Sequence, residues 1–581
     1  MSSNAVTSNA PQWRVWPGIA ILLTMIGLMV VPSLVAPRTT VHFVTFLAGP
    51  MLGSLLALIW WVGFARVRGT PRWLVPAAFL VPAFVAGTFQ IMLGEGPISV
   101  LVYGLPIVLL VWIVWVALSG SLLTSTRATC LYVLLVVSWS VFSLLRVDGA
   151  SSNIIPEFSW RWNMKPEDLA AKETKDRPLV AAAPIAAQVY RTDWAEFRGP
   201  NRDDKVVGLS IATDWAQDKP VQLWRQRIGP GWGSFAVVGE RLFTQEQRGN
   251  DEAVVCYDAK TGGEIWRHFE KAKFTESIAG AGPRATPTVH EGRVYAQGAT
   301  GLLVCLDGND GKLIWKTDIR EDAGGILPQW GYASSPLVIN GNVIVYTGGL
   351  EGKGTSAFSA TDGKWKWSSG DAKHGYSSAQ RTTIAGVEQV LMLSDYGLES
   401  FDPNTGTRLW ENRWTLPTIN RSTQPAVIAE GEFLIGTGAG SDLGARRIKV
   451  TKTAHDWDVR EVWVTRKLKP YFNDGVIHAG YFYGFSDSAF VCIDLVDGKE
   501  KWNAGTIYGH GQVVLLADQG LLVVQAITGK VHLVKATPED HIEEAKLDAI
   551  SGKTWNHPVV AGGRLYVRNG TEAAAYELKL K

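Results

Sequence analysis

The sequence contains 581 residues, of which 46% are apolar and 19% are charged, so it is neither a disordered nor a collagen-like chain. Its 56 basic and 54 acidic side chains nearly cancel, and this balance gives no electrostatic reason to expect a nucleic-acid partner. Tryptophan is unusually frequent, with 25 residues, and any proposed fold must explain so many indole rings.

The first 150 residues are much poorer in charge than the rest, with seven arginines, no lysine and two acidic residues. They contain five stretches without a charge, each 18 to 23 residues long and therefore able to cross a hydrocarbon core as a helix. The five stretches are Ile19–Ala36, Phe43–Ala65, Trp73–Leu93, Ile98–Ser119 and Ala128–Leu145. We therefore predict a transmembrane domain of five helices over residues 1–147.

The arginines predict the orientation of these spans. With the N-terminus in the cytoplasm, the inner segments carry five arginines and the outer segments carry two, which is the distribution that favours this orientation. Five spans then place the rest of the chain on the periplasmic side of the cytoplasmic (inner) membrane.

Residues 148–193 show no sustained pattern and are predicted to be a linker. A turn-rich stretch is followed by a short predicted helix, Met164–Lys175, and by an Ala/Pro segment at 181–187. This composition is typical of a spacer between domains.

Five copies of one motif follow, in Cys256–Trp266, Cys305–Trp315, Phe358–Trp367, Ser400–Trp410 and Cys492–Trp502. Each copy has a Gly four residues before its Trp, and four copies have an Asp eight residues before it, where the third has Ser359. The Asp ends one strand, the Gly allows a turn with positive φ, and a second strand runs to the Trp. Each copy is thus predicted to be a β-hairpin with a large ring at a fixed position.

A second hairpin precedes each of these, which makes eight units of four short strands. The strands that end in tryptophan recur about every 46 residues, and this period with four strands per unit predicts a β-propeller. The last unit stops after three strands, whereas 221–228 is a strand without a unit. Pairing the two would close the ring and remove an open sheet edge. The predicted fold is therefore an all-β eight-bladed propeller over 194–581, closed by strand 221–228 and preceded by the helical domain.

These repeats resemble the PQQ-like repeat β-propellers, whose blades end in an Asp, Thr-Gly and Trp docking motif; WD40 propellers are the alternative, but their signatures do not recur. The resemblance extends over 194–581 and includes BamB-like and quinoprotein-like branches. It implies that the tryptophans pack between blades and have a structural role: Trp224, Trp266, Trp315, Trp367, Trp410, Trp463 and Trp502.

The loops that lead into the innermost strands are expected to gather around the propeller axis on one face, which is a common location for a binding site. The candidate residues there are Trp232, Arg284, Trp330, Tyr332, His374, Tyr376, Asn420, Arg421, Asn473, Asp474, His510, Asn556 and His557. Arg284 is the residue expected to meet an anionic group. The competing interpretation is that these polar residues only line a wet channel.

Two functional hypotheses follow. The first is a non-catalytic binding or scaffold propeller that faces the periplasm and takes a protein partner or an extended peptide, as the BamB-like resemblance implies. The second, implied by the quinoprotein-like resemblance, is a membrane dehydrogenase that oxidises an alcohol or sugar and reduces membrane quinone. It would hold PQQ and calcium in the listed loops, with Asp474 as general base and with Asn420, Asn473 and Asn556 as further oxygen donors for the metal. The repeats favour the first hypothesis, because long loops that could shape a catalytic site are absent between them.

Overall fold

A computed structural model describes residues 13–35, 40–93, 100–150, 156–185, 193–416, 421–437 and 443–581. The chain divides into two compact units. The first comprises residues 1–164 with 277–279, and the second comprises residues 165–276 with 280–581.

The first unit is helical. Its long helices are α1 (Trp16–Val35), α2 (Thr40–Ile59), α3 (Pro71–Met92), α4 (Leu105–Leu118) and α5 (Thr124–Leu144), with π-helical turns at Trp60–Phe64 and Val100–Gly104. Within the described residues, five helical segments are long and apolar enough to cross a membrane, which confirms the five predicted spans. A two-stranded hairpin, Leu145–Ala150 with Pro156–Trp160, follows α5 directly.

Aromatic rings form the centre of this helical unit. Trp61 and Trp112 are buried with ring centroids 5.4 Å apart, and Phe79 lies between Trp112 and Trp139 at 5.3 and 6.0 Å. Several of the 25 tryptophans thus belong to the helix core and have no counterpart in the repeats.

The second unit is the predicted eight-bladed propeller, a ring of antiparallel sheets of four strands each. From the innermost strand outward, the blades contain Ala236–Val238, Arg241–Arg248, Asp251–Asp258 and Glu264–Glu270 (blade 1); Thr288–His290, Arg293–Gln297, Leu302–Asp307 and Leu313–Asp318 (blade 2); Leu337–Ile339, Asn342–Gly349, Lys353–Ser359 and Trp365–Ser369 (blade 3); Gln380–Ile384, Val387–Leu393, Gly397–Phe401 and Arg408–Arg413 (blade 4); Ala426–Ala429, Glu432–Gly436, Ala445–Lys452 and Trp457–Thr465 (blade 5); Val476–His478, Tyr481–Ser486, Ala489–Asp494 and Glu500–Asn503 (blade 6); Gln512–Leu516, Leu521–Gln525, Lys530–Lys535 and Glu543–Asp548 (blade 7); Val559–Ala561, Arg564–Arg568, Glu572–Glu577 and Val221–Arg227 (blade 8). In blade 7 a short fifth strand, Lys205–Val206, pairs parallel with the innermost strand. Smaller elements are helix α7 (Ile319–Ala323), a 3-10 turn at Ala517–Gln519 and the short pair Thr275–Glu276 with Gly280–Ala281.

Blade 8 joins the two ends of the propeller sequence. Its outermost strand, Val221–Arg227, pairs antiparallel with Glu572–Glu577, and Trp224 lies opposite Ala575. This pairing leaves no blade short of a strand and closes the ring with hydrogen bonds between distant parts of the chain.

Five of the seven repeat tryptophans dock on the glycine turn of the next blade. Trp315 of blade 2, for example, donates its Nε1–H to the carbonyl oxygen of Ala360 in blade 3 at 3.1 Å. The motif glycine of that turn, Gly363, lies directly against the indole: a Cβ added there would be 2.5 Å from the ring. The same arrangement recurs for the pairs Trp224–Gly262, Trp266–Gly311, Trp367–Gly406 and Trp463–Gly498.

Blade 5 lacks the turn motif, and the tryptophan of blade 4 therefore packs against blade 5 in a different way. Trp410 of blade 4 donates to Gln389 Oε1 of its own blade at 2.7 Å and stacks on Phe433 of blade 5. Phe433 thus replaces the glycine turn that supports the ring elsewhere.

Part of the predicted linker packs on the propeller. The predicted short helix is present as α6 (Pro166–Asp176), and the carboxylate of Glu167 lies 3.1 Å from Lys273 of the propeller. Further along, the backbone N–H of Val180 donates to the carbonyl oxygen of Glu264 in blade 1 at 2.7 Å. These residues are therefore held against blade 1, contrary to the expectation of a spacer.

Candidate functional site

The leading segment of the propeller, residues 193–206, crosses the axial channel. It begins against the innermost strand of blade 1, where Trp194 pairs with Val237, and ends beside that of blade 7, where Lys205 pairs with Leu515. Its Arg202 is buried in the channel and donates to the carbonyl oxygen of Ser335 at 3.0 Å and to Glu196 at 2.8 Å. The segment acts as a plug that fills the axis.

A ring of hydrogen bonds links the loops in which most candidate residues lie. In blades 2 to 6, a polar side chain just before the innermost strand accepts a backbone N–H of the preceding blade. The series is Ser234 N to Thr286 Oγ1 (2.8 Å), Thr286 N to Ser335 Oγ (2.9 Å), Ser335 N to Ser378 Oγ (2.8 Å), Ser378 N to Gln424 Oε1 (3.0 Å) and Gln424 N to Asp474 Oδ1 (2.7 Å). Sequence analysis missed this ring, which we call the polar girdle, although the recurring Ser or Thr at this position was a visible signal.

Amide side chains complete the polar girdle on the remaining blades. Asn473 donates to the carbonyl oxygen of Gly511 at 2.6 Å, Gln512 to that of Trp555 at 3.0 Å, and Asn556 to that of Gly233 at 2.7 Å. Asn473 and Asn556, predicted as calcium ligands, therefore hold neighbouring blades together through their amide nitrogens.

Asp474 belongs to a buried cluster of charges beneath the face. Its carboxylate lies 3.7 Å from Arg198 of the plug and 3.8 Å from His557, and Arg198 also pairs with Asp204 at 2.5 Å. Burial raises the pKa of Asp474, although Arg198 and His557 oppose the shift. Asp474 is predicted as general base only for a dehydrogenase, and in the structure this carboxylate is enclosed and already paired.

The two candidate arginines are structural as well. The side chain of Arg284 is only 8% exposed; it donates to the carbonyl oxygens of Gly282 and Gly280, pairs with Glu276 at 3.4 Å and lies over the Phe274 ring. Burial lowers its pKa to about 10. Arg421, fully buried, donates to the carbonyl oxygens of Ser394 and Trp414, and burial lowers its pKa to about 9. The donors of Arg284, which were predicted to meet an anionic group, point to its own loop in this structure.

The remaining candidates divide between core and surface. Tyr332 is fully buried, donates to the carbonyl oxygen of Thr347 at 3.2 Å, and has its pKa raised to about 12 by burial, so it is a core residue. His374 is exposed at the edge of the face. Asn420 lies outside the described residues.

Aromatic rings surround the mouth of the channel on the face formed by these loops. Five rings form an arc in which Trp232 and Trp555 are 5.0 Å apart, Trp555 and Phe472 5.2 Å, Phe472 and His510 5.6 Å, and His510 and Tyr471 5.9 Å. A pair, Trp330 and Tyr376, lies 5.4 Å apart in the loops of blades 3 and 4. We call these seven residues the aromatic collar. Trp232, Trp330, Tyr376 and His510 were among the candidates, and Trp555 lies in the loop of the candidates Asn556 and His557. Tyr471 and Phe472 were missed, although Phe472 precedes its innermost strand by as many residues as Trp232 does.

Five of the seven collar rings are only partly covered, whereas Tyr376 and His510 are buried. The five half-buried rings, part of whose surface is accessible, are Trp232, Trp330, Tyr471, Phe472 and Trp555. The ammonium of Lys553 lies 5.0 Å from the Trp555 ring and 5.5 Å from the Trp232 ring, which is cation–π distance. The collar thus presents rigid apolar rings with polar edges, the surface type that is enriched in protein interfaces.

The residues present do not fit a calcium-bound quinone. Calcium takes six to eight oxygen ligands, usually with carboxylates among them, yet the one candidate carboxylate, Asp474, is paired with Arg198. Among the described residues, no group of three or more His, Cys, Asp and Glu side chains could hold a metal ion. The donors of Arg284 and Arg421, which could have bound the quinone carboxylates, are turned to backbone carbonyl oxygens.

Comparison with known proteins gives matches in the propeller. A family model described as outer membrane protein assembly factor BamB matches residues 216–296 and 250–504. The protein of that name from Burkholderia pseudomallei is 26% identical over 385 residues, which cover 54% of this chain and 90% of that protein. Quinohemoprotein alcohol dehydrogenase ADH IIB from Pseudomonas putida is 32% identical over 120 residues, which cover 20% of this chain and 17% of that protein.

A solved structure is similar to part of this chain. BamB from Moraxella catarrhalis is 14% identical with a TM-score of 0.45, over 62% of this chain and 98% of that chain.

Proposed function

We propose that the propeller of this chain, which belongs to the PQQ-like repeat β-propeller family, is a membrane-held binding module that takes a protein partner on the aromatic collar. The single observation that carries this proposal is the collar itself, a set of seven aromatic rings, five of them half-buried, on a rigid ring of blades. Aromatic residues supply a large share of the binding energy in protein interfaces, because they bury much apolar area at a small entropic cost.

The state of the polar groups on the same face supports binding over catalysis. Oδ1 of Asp474 and the amide nitrogens of Asn473 and Asn556 are used by the polar girdle, and the donors of Arg284 and Arg421 are used by their own loops. What remains accessible at the mouth of the channel is therefore mainly aromatic. The plug fills the axis below, so a partner would rest on the collar and not pass through the ring.

The BamB relatives support a binding function more strongly than the dehydrogenase relatives support catalysis. The BamB protein of Burkholderia pseudomallei, whose printed name is that of an assembly factor, is matched over 90% of its own length. The dehydrogenase of Pseudomonas putida is matched over 17% of its own length. The dehydrogenase hypothesis stays the alternative, and it requires a cofactor site that the described side chains do not form.

The place of action follows from the helices and arginines. The described residues include five helices that are long and apolar enough to anchor the chain in a membrane. The distribution of arginines supports an N-terminus in the cytoplasm, which would put the propeller in the periplasm of a cell with two membranes. We propose this orientation together with the binding function.

The proposal is tested by placing a photo-reactive amino acid at exposed positions of the full-length protein in cells. His374 and Ile507 lie in loops on the collar face, and Val496, equally accessible, lies in a turn at the opposite face. We expect adducts of one common size from positions 374 and 507 and none from position 496.

Collar variants supply the specificity control. Trp330→Ala and Trp555→Ala should abolish these adducts without lowering the melting temperature much, because both rings are half-exposed. Equal adducts from position 496, or adducts that persist in both collar variants, would contradict the proposal.

A further inference from the structure

An exposed aromatic hairpin follows the last helix of the first unit. Its two strands, Leu145–Ala150 and Pro156–Trp160, pair so that Trp160 lies opposite Leu145, the residue directly after α5. Trp160 is therefore level with the end of the helix. Trp160 is 40% exposed and Trp162 is 65% exposed in the whole chain, which is unusual for such large apolar rings.

The hairpin is held firmly at this level. The backbone N–H of Arg161 donates to the carbonyl oxygen of Leu144 at 3.0 Å, and its Nε donates to that of Ser143 at 2.7 Å. The Trp160 and Trp162 rings stack with centroids 4.8 Å apart and planes inclined by 6°. Two stacked indoles are thus fixed beside the end of a helix that can span a bilayer.

A second set of exposed tryptophans marks the other end of the helices. Trp16, in the first turn of α1, is 71% exposed, and Trp73, in the first turn of α3, is 64% exposed. Because successive spans alternate in direction, α1, α3 and α5 run the same way, and Trp16 and Trp73 lie at the end opposite to Trp160. The 21 residues of α5 are about 30 Å long, which is the thickness of a hydrocarbon core.

We propose that Trp160 and Trp162 bind the phospholipid headgroup region at the surface where α5 leaves the membrane. Indole rings favour this region because their bodies are apolar and their N–H groups find hydrogen-bond acceptors there. The partner is lipid and not another protein, because the rings continue the apolar surface of α5 at the level where hydrocarbon ends. This inference does not depend on the function proposed for the propeller.

The experiment measures the depth of a nitroxide label in the full chain, reconstituted in phosphatidylcholine vesicles. The background variant is Cys130→Ser; the other cysteines, Cys256, Cys305 and Cys492, are fully buried and their thiol pKa values are raised by burial, so they resist labelling. Labels are placed by Trp162→Cys and, with both indoles retained, by Met164→Cys, and the control is Val496→Cys in the propeller.

Collisions with oxygen and with a water-soluble nickel complex report the depth of each label. We expect the labels at 162 and 164 to favour oxygen over nickel by several-fold relative to the label at 496, as at headgroup depth. Two results would overturn the proposal: nickel accessibility at both positions equal to that at 496, or protection from both reagents, which would place the hairpin against protein.

Discussion

The contact between Trp315 and Gly363 allows a quantitative test of how the blades are held together. The indole of Trp315 is buried, donates to the carbonyl oxygen of Ala360 and covers Gly363 of the next blade. Trp315→Ala removes this packing and leaves a cavity, for which we expect a loss of about 3–5 kcal/mol in the free energy of unfolding.

Gly363→Ala is expected to be costly for two separate reasons. The glycine has a φ of +72°, a conformation that costs an alanine roughly 1–2 kcal/mol. The new methyl group would also stand 2.5 Å from the Trp315 ring, and forcing the seam apart adds about 1–3 kcal/mol.

The two effects are separated by the double variant. In a Trp315→Ala background the clash is absent, so Gly363→Ala should cost only the backbone strain, and the two losses should fall short of additivity by about 1–3 kcal/mol. Urea unfolding of the detergent-solubilised full chain, followed by limited proteolysis of the propeller, measures all four variants. Additive losses would refute the argument that the glycine is required by the neighbouring ring.

Three further predictions follow from buried groups and from ring closure. Burial raises the pKa of Glu252 from its ordinary 4.5 to about 7, so the stabilisation from its protonated form is complete below pH 4.5 and is lost as pH rises through 7. Glu252→Gln should therefore flatten the pH dependence of urea unfolding by about 3 kcal/mol between pH 5 and pH 8, whereas Glu351→Gln, at an exposed position, should not. Arg284→Ala should lower the free energy of unfolding by about 3 kcal/mol, because it leaves Glu276 and two carbonyl oxygens without their hydrogen-bond donor. An unchanged free energy of unfolding would contradict the buried pair. Deletion of 221–228 should leave blade 8 with an open edge and cause aggregation or a large fall in melting temperature, and a soluble product with unchanged melting would exclude the observed closure.

The repeating elements were predictable from sequence because their signal is local. An Asp that accepts the backbone N–H groups of its own turn, as Asp258 does from Lys260 and Thr261, and a Gly with positive φ, as Gly262, specify a hairpin within eleven residues. The five apolar helices were predictable for the same reason, since length and composition of one segment suffice.

The state of the candidate site was not predictable, because it depends on contacts between distant residues. Sequence placed Arg284 and Asp474 correctly in loops around the axis. It did not show that Arg284 folds back on the carbonyl oxygens of Gly280 and Gly282, nor that Arg198, 276 residues before Asp474, reaches its carboxylate. The close contact between Gly363 and the ring of Trp315 likewise depends on two blades, so neither repeat alone predicts it.

The central claim, that the collar face is a protein-binding surface and not a cofactor site, is tested most directly by adding PQQ and calcium to the purified full-length protein. After removal of free cofactor, the bound quinone is measured by its absorbance, and dye reduction is measured with alcohols and aldoses. The account predicts no retained quinone absorbance and no substrate-dependent dye reduction, because Asp474 is paired with Arg198 and Arg284 and Arg421 are turned to backbone carbonyl oxygens. Stoichiometric retention of the quinone together with substrate-dependent dye reduction would contradict it.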